Sequence, residues 1–221
     1  MVLGMLLADG RFPAGTYAHS LGLEQAVSDG LRADGVPAFI GARLRLVAEP
    51  EARLSVAARR AALAGGGLAE VAAVEDEWAA RCPNPVLRES ARRLGAGLLR
   101  SAAIAKPAPL IDEYRAASSS TPRTVALGVV AAAWDVEDEE LARIALYDDA
   151  ATVASAALKL LALDPAAASG WVAGVADWIG ATACVVAADN RPLAELPGPA
   201  AVGLELAASI HADRRERLFV T

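Results

Sequence analysis

Proline and glycine interrupt this chain at short intervals: Pro13 and Gly15, Gly35 and Pro37, the Gly65-Gly66-Gly67 run, Pro83 and Pro85, Pro107 and Pro109, Pro122, Pro165, and the stretch from Pro192 to Pro199. Each break removes a backbone donor or loosens the backbone, and so ends a helix. The segments between breaks are rich in Ala, Leu and Val; hydrophobic residues make up 55% of the sequence, aromatic residues only 5%. Small and straight apolar side chains favour packed helices, and no period-two alternation of β-branched residues persists for long. The spacing predicts helices over 16–30, 37–48, 51–64, 68–81, 85–105, 110–116, 123–134, 137–163, 165–187 and 200–212. The expected fold is all-α: a single compact domain over residues 1–221 made of about eight to ten helices, long enough to bury roughly 70% of its unfolded surface. No repeat and no shift in composition marks a domain boundary.

Charge and cysteine content exclude several classes. The net charge is −6, from 27 acids against 21 bases spread along the chain, with no basic stripe for nucleic acid. Arg88, Arg92, Arg93 and Arg100 could suggest a recognition helix, but their angular positions scatter, as on a solvated face. Cys82 and Cys184 stand far apart without companion ligands, so neither a disulfide framework nor a zinc site is expected. The apolar start lacks a basic region and runs into Asp9 and Arg11, unlike a secretory signal, so a cytoplasmic protein is expected. The most apolar stretch, 170–188, is interrupted by Asp177, which would cost about 2.5–3.5 kcal/mol mid-membrane. A buried core helix is expected there, and the acidic run Glu137–Glu140 is expected as a solvated helix start matched to the dipole.

Catalytic constellations are missing. No phosphate loop, dinucleotide fingerprint or nucleophile elbow occurs, and two histidines, His19 and His211, rule out a three-histidine zinc site within one chain. His19 beside Ser20 could suggest a nucleophile and its base, but adjacent helical residues point about 100° apart. The surrounding segment, Asp9 to Glu24, gathers Arg11, His19, Ser20 and Glu24 near a turn at Pro13 and Gly15, which Thr16 could cap. Within an expected helix, Ser20 and Glu24 share a face, and Tyr17 and Leu21 face the core. Gly22 there would cost about 1 kcal/mol against Ala, which suggests close packing against its backbone.

This segment resembles the N-terminal signature of the urease accessory protein UreF family, Asp-Ser-x-Phe-Pro-x-Gly-x-x-x-His-Ser-x-Gly-x-Glu. Arg88-Glu89-Ser90 with Gly95 and Leu98-Leu99-Arg100 is similar to the family's central helix, and Ala126-Leu127-Gly128-Val129 to its small-residue helix. The ending from His211 to Thr221 is similar to the family's His-Glu-x-x-x-x-Arg-Leu-Phe-x-Ser. Leu158–Pro165 resembles an Arg-Leu-x-Pro-Leu-Gly-Gln stretch but departs from it at Lys159, Ala162, Asp164 and Pro165, and Pro122 or Arg123 stands in the region of a common histidine.

The resemblance implies a UreF-like helical bundle that is not an enzyme. It implies a homodimer that assembles with a UreD/UreH-type scaffold protein and a UreG-type GTPase on apo-urease, where GTP hydrolysis by the UreG-type partner is coupled to nickel insertion. Nickel is transferred and GTP is bound by the partner; no cofactor is held tightly and no metal ligand is assigned. Arg11, His19, Ser20, Gly22 and Glu24 become candidates for a partner surface or a nickel route. His211, Arg217, Leu218 and Phe219 become candidates for docking to the UreD-type partner. Arg214, Arg215 and Arg217 followed by Leu218-Phe219-Val220 read as a basic, apolar hook, so the tail from about 211 to 221 is expected to order in a partner groove, with packing on its own domain as the alternative. The alternative function is a helical interaction module or regulator with an unrelated partner.

Overall fold

The computed structural model describes residues 2–64, 68–118 and 120–220; the glycine turn at 65–67 and the terminal Thr221 lie outside the described residues. Among these residues there are twelve α-helical segments and no strand. They are α1 (Val2–Ala8), α2 (Leu23–Ser28), α3 (Val36–Arg43), α4 (Glu49–Leu63), α5 (Leu68–Arg81), α6 (Pro85–Ala105), α7 (Pro109–Ala117), α8 (Arg123–Trp134), α9 (Asp138–Leu160), α10 (Pro165–Gly174), α11 (Ala176–Ala188) and α12 (Val202–Ala212). A π-helical turn, Leu44–Ala48, joins α3 and α4 into one rod.

The core is built around α8. Val125, Ala126, Leu127, Val129, Val130 and Ala131 are all buried, so the helix is enclosed on every side. Such enclosure requires small side chains, and Gly128 meets the strictest demand. A Cβ there would stand 2.3 Å from the carbonyl oxygen of Ser55 and 2.9 Å from the amide nitrogen of Arg59, both on α4. Ser55 Oγ in turn donates to Thr124 O at 2.8 Å. Asp135, in the left-handed conformation, ends α8, and Trp134 Nε1 donates to Lys106 O at 3.0 Å. The helix α9 packs beside α4 and carries α10 and α11, and α11 also touches α4.

Arginines on α4 lock the periphery. Arg59 donates to Val136 O at 2.5 Å and pairs with Asp138 at 2.7 Å; Arg60 pairs with the other Asp138 oxygen at 2.7 Å; Arg53 pairs with Glu49 and Asp189. The acidic start of α9 is therefore not only a solvated, dipole-matched turn, because Asp138 is an anchor for α4. Arg88 differs similarly from its expected role on a solvated face. Its guanidinium reaches back to Cys82 O at 2.5 Å and Ala79 O at 2.6 Å, capping the end of α5.

Two expected helices are broken. The 165–187 span divides at Val175 with a 40° bend, and in α10 and α11 only Ala168, Ile179, Ala183 and Val186 are buried. The expected buried core helix is thus a pair lying on α9 with an exposed outer face, where Val185 remains 58% exposed. No single described helix is long and apolar enough to cross a membrane; the bent pair meets the test by length and composition alone. The expected 16–30 helix also fails, for a backbone reason described below.

Because the α4–α8 contact is backbone against backbone, Gly128→Ala should destabilise the protein by about 1–3 kcal/mol through overpacking. Gly180→Ala on α11, where a Cβ meets nothing within 4 Å, should be neutral or stabilise by about 0.5–1 kcal/mol. Urea unfolding followed by far-UV circular dichroism measures both.

Candidate functional site

The N-terminal segment enters the core at Phe12, whose ring stands edge-on to Trp134 with centroids 6.2 Å apart. Ser101 Oγ then donates to Pro13 O at 2.7 Å, and a Cβ on Gly97 would lie 2.9 Å from Ala14 O, so α6 presses directly on the turn. Gly15 takes φ 92°, Thr16–Ala18 form one 3₁₀ turn, and His19 is extended. Leu21 and Gly22 both have positive φ, 55° and 89°, before α2 begins at Leu23.

This backbone overturns the expected helical geometry. Gly22 is not a helix-interior residue but the left-handed residue at the head of α2, and Gly15 precedes the 3₁₀ turn with no side-chain cap from Thr16. Tyr17 faces solvent at 71% exposure, whereas Leu21 packs against the core. Leu21 accepts the strain of a left-handed, branched residue, and Arg43 Nη1 holds its carbonyl at 3.0 Å. Ser20 and Glu24 do meet, but through the Glu24 amide donating to Ser20 Oγ at 3.3 Å across the start of α2. Among the described residues, Ser90 Oγ lies 3.4 Å from His19 Nδ1. Burial, aided by the nearby Arg123 charge, lowers the His19 pKa to about 4, so the ring is neutral at pH 7.

Behind the turn lies a cavity of about 220 Å³ whose wall includes His19, Arg43, Glu51, Arg123, Asp148 and Asp149. Arg43 grips Asp149 with two bonds, at 2.6 and 3.1 Å, and Arg123 pairs with Asp148 at 2.9 Å. Burial raises the carboxyls of Glu51 and Asp148; Asp149 pushes Glu51 up further, while Arg43, Arg123 and a hydrogen bond from Trp78 oppose the rise. Among the described residues no group of three or more His, Cys, Asp or Glu is placed to hold a metal ion.

The C-terminal segment closes the site from the other side. Glu24 is buried, and its carboxylate accepts from His211 Nε2 at 2.8 Å, Leu218 N at 2.7 Å and Phe219 N at 3.0 Å. Burial raises this carboxyl, but the Leu218 amide, His211 and the Phe219 amide outweigh it and hold the group below its usual range. Val220 N adds a bond to Ala18 O at 2.8 Å, and Lys159 Nζ sits 5.1 Å above the Phe219 ring while donating to Tyr17 O at 3.2 Å. The tail to residue 220 is thus seated on its own domain, with Phe219 and His211 buried.

The structure brings together His19, Ser20, Gly22, Glu24, His211, Leu218 and Phe219. Arg11 stands apart, 91% exposed at its side chain and paired with Asp9 at 2.8 Å, and Arg217 reaches only Ala212 O at 3.4 Å. Sequence reasoning missed Arg43, Glu51, Asp148 and Asp149. The available signal was Asp148-Asp149 leading into the small-residue stretch 150–157 of α9, a pattern of a helix packed closely inside the protein, where unpaired acids would be costly.

The UreF family model matches residues 32–176. Over 219 residues the sequence is 32% identical to a urease accessory protein UreF of Mycobacterium marinum, covering 98% of this chain and 97% of the relative. A Mycolicibacterium vanbaalenii UreF is 31% identical with the same coverage, and one of Mycobacterium bovis 34% over 167 residues, 73% of this chain and 74% of the relative. The chain belongs to the UreF family. The clamp built by Glu24 and the tail lies outside the part matched by the family model.

Two outcomes test this geometry. Glu24→Gln should cost about 1.5–3 kcal/mol, because an amide nitrogen would face donors the carboxylate now accepts. Since the folded Glu24 carboxyl lies below its usual range, the clamp's contribution is present at neutral pH and is lost as pH falls through the folded value; the difference between wild type and variant in urea unfolding should shrink in acid. For His19 the folded value is about 4 against an ordinary 6.5, so its neutral form stabilises above pH 6.5 and that contribution is lost as pH falls towards 4. His19→Gln should flatten that slope in the same measurement.

Proposed function

We propose that this UreF chain acts as a non-catalytic subunit of a cytoplasmic urease-maturation complex. In this reading it forms a homodimer, binds a UreD/UreH-type scaffold and a UreG-type GTPase, and sets the geometry in which GTP hydrolysis by the latter drives nickel insertion into apo-urease. The observation that carries it is the Glu24 clamp. One buried carboxylate binds the N-terminal signature turn to the C-terminal tail, and the joined pair presents Tyr17, Leu218 and Val220, 71, 61 and 44% exposed, on adjoining backbone.

An amphipathic aromatic and two aliphatic side chains held by a rigid support suit a partner contact, because little ordering remains to be done on binding. Phe219, His211, Ser20 and Glu24 then act as supports rather than as contacts. Leu218 is the direct contact of the tail, with Arg217 at its edge. Nickel is cargo on this view, and His19 and Gly22 on the cavity wall are the residues of the signature beside which it would pass.

Coexpression with UreD-type and UreG-type proteins, followed by size exclusion and nickel-dependent urease activation, tests the reading. Truncation after Arg217 is a poor probe, since it also strips two donors from Glu24. Tyr17→Ala with Leu218→Ser should keep the helical circular dichroism signal but reduce co-elution and activation by about tenfold or more, the loss that accompanies removal of a contact hot spot. Full co-elution and wild-type activation by the double variant would remove Tyr17 and Leu218 as the contact, whereas failure of the unaltered chain to bind either partner would return the protein to a helical interaction module with an unrelated partner.

A further inference from the structure

The helix α12 is apolar on both sides but poorly enclosed. Only Ala208 and His211 are buried, whereas Val202, Leu206 and Ile210 stand 69, 59 and 45% exposed along its outer face. Its inner side, through Ala201, Leu204, Glu205, Ala208 and His211, forms one wall of the cavity that holds the Arg43–Asp149 and Arg123–Asp148 pairs. Few contacts retain it. Asn84 Nδ2 donates to Glu205 O at 2.8 Å and to Ser209 Oγ at 2.9 Å, His211 is held by Glu24, and Leu204 rests against Gly22, reaching within 3.5 Å of where a Cβ would lie. Before the helix, residues 197–201 have no regular secondary structure; Gly198 stands between Pro197 and Pro199 against the Arg81 side chain, and Leu196 ahead of them is buried.

We propose that α12 is a hinged lid over the interior charge cluster. Its N-terminal turns lift about the His211–Glu24 attachment, on the slack of the connection before Val202, and admit small solutes to the cavity while the Glu24 clamp and the α4–α8–α9 body stay folded. A segment with few buried contacts, attached at one polar point along its length and at its C-terminal end, opens at lower cost than the body it covers. This motion is a property of the chain itself and does not depend on any partner.

The molecule contains its own reporter. Cys82 is half-buried and lines the cavity, whereas Cys184 is exposed on α11. In a Cys184→Ser background, the rate at which methyl methanethiosulfonate modifies Cys82 reads lid opening. Asn84→Asp is the informative variant: its carboxylate can still cap α6, as Asn84 Oδ1 does for Val86 and Leu87 at 2.9 and 3.3 Å, but it loses both donations to α12. Leu204→Ala loosens the lid at a second point.

We expect Asn84→Asp to speed Cys82 modification by about tenfold, the factor that follows from losing a hydrogen-bonded anchor. Amide exchange over residues 202–212 should quicken in parallel, with exchange in α8 unchanged. Acceleration in either variant with α8 unchanged supports the lid. Equal rates in wild type and both variants, or Cys82 modification with the same urea dependence as exchange in α8, would overturn it.

Discussion

The contact on which the rest of this structure depends is the meeting of α4 and α8 at Gly128, where backbone lies against backbone. Close approach lets Ser55 bond to Thr124 O, while α9 packs along α4 and α6 covers α8. It also sets where charges go. Arg43, ahead of the π-helical turn, and Arg123, at the first turn of α8, are delivered to the same interior face as Asp148 and Asp149. Both arginines are fixed on rigid elements, and the acids opposite them are in hydrogen-bonding range. The buried pairs are tolerable only in that geometry, because either partner left alone would be an uncompensated charge.

That cluster in turn shapes the signature turn. Arg43 holds the Leu21 carbonyl, Arg123 helps keep His19 neutral, and the strained pair Leu21-Gly22 aims Glu24 at the tail. One carboxylate accepting three bonds is economical: it replaces the hydration of a buried anion with fixed donors and fastens two chain ends that are far apart in sequence. The exposed side chains around it, Tyr17 and Leu218, owe their placement to this support rather than to packing of their own.

Much of this was legible beforehand where local physics decides. Helix limits over 68–81, 85–105 and 123–134 match the structure, because Pro and Asn at helix starts and runs of Ala and Leu act within a few residues. The conformation of the signature segment is not legible in this way. A helical pattern from Thr16 to Gly30 is plausible on propensity, yet positive φ at Leu21 and Gly22 breaks it, at a cost met by Arg43 from another helix. A helix there would turn Tyr17 to the core; the 3₁₀ turn leaves it in solvent instead.

By itself, the sequence determined the all-α class, most helix boundaries and the UreF resemblance, since these rest on local propensity and on residue patterns. Only the tertiary structure decided that Glu24 and His211 are partners, that Ser90 lies beside His19, that Phe219 is a support and Leu218 exposed, and that a charged cavity lies beneath α12. The reason is physical: a hydrogen bond between residues 24 and 219 is specified by the packing of every helix between them, and no local pattern along the chain carries that information.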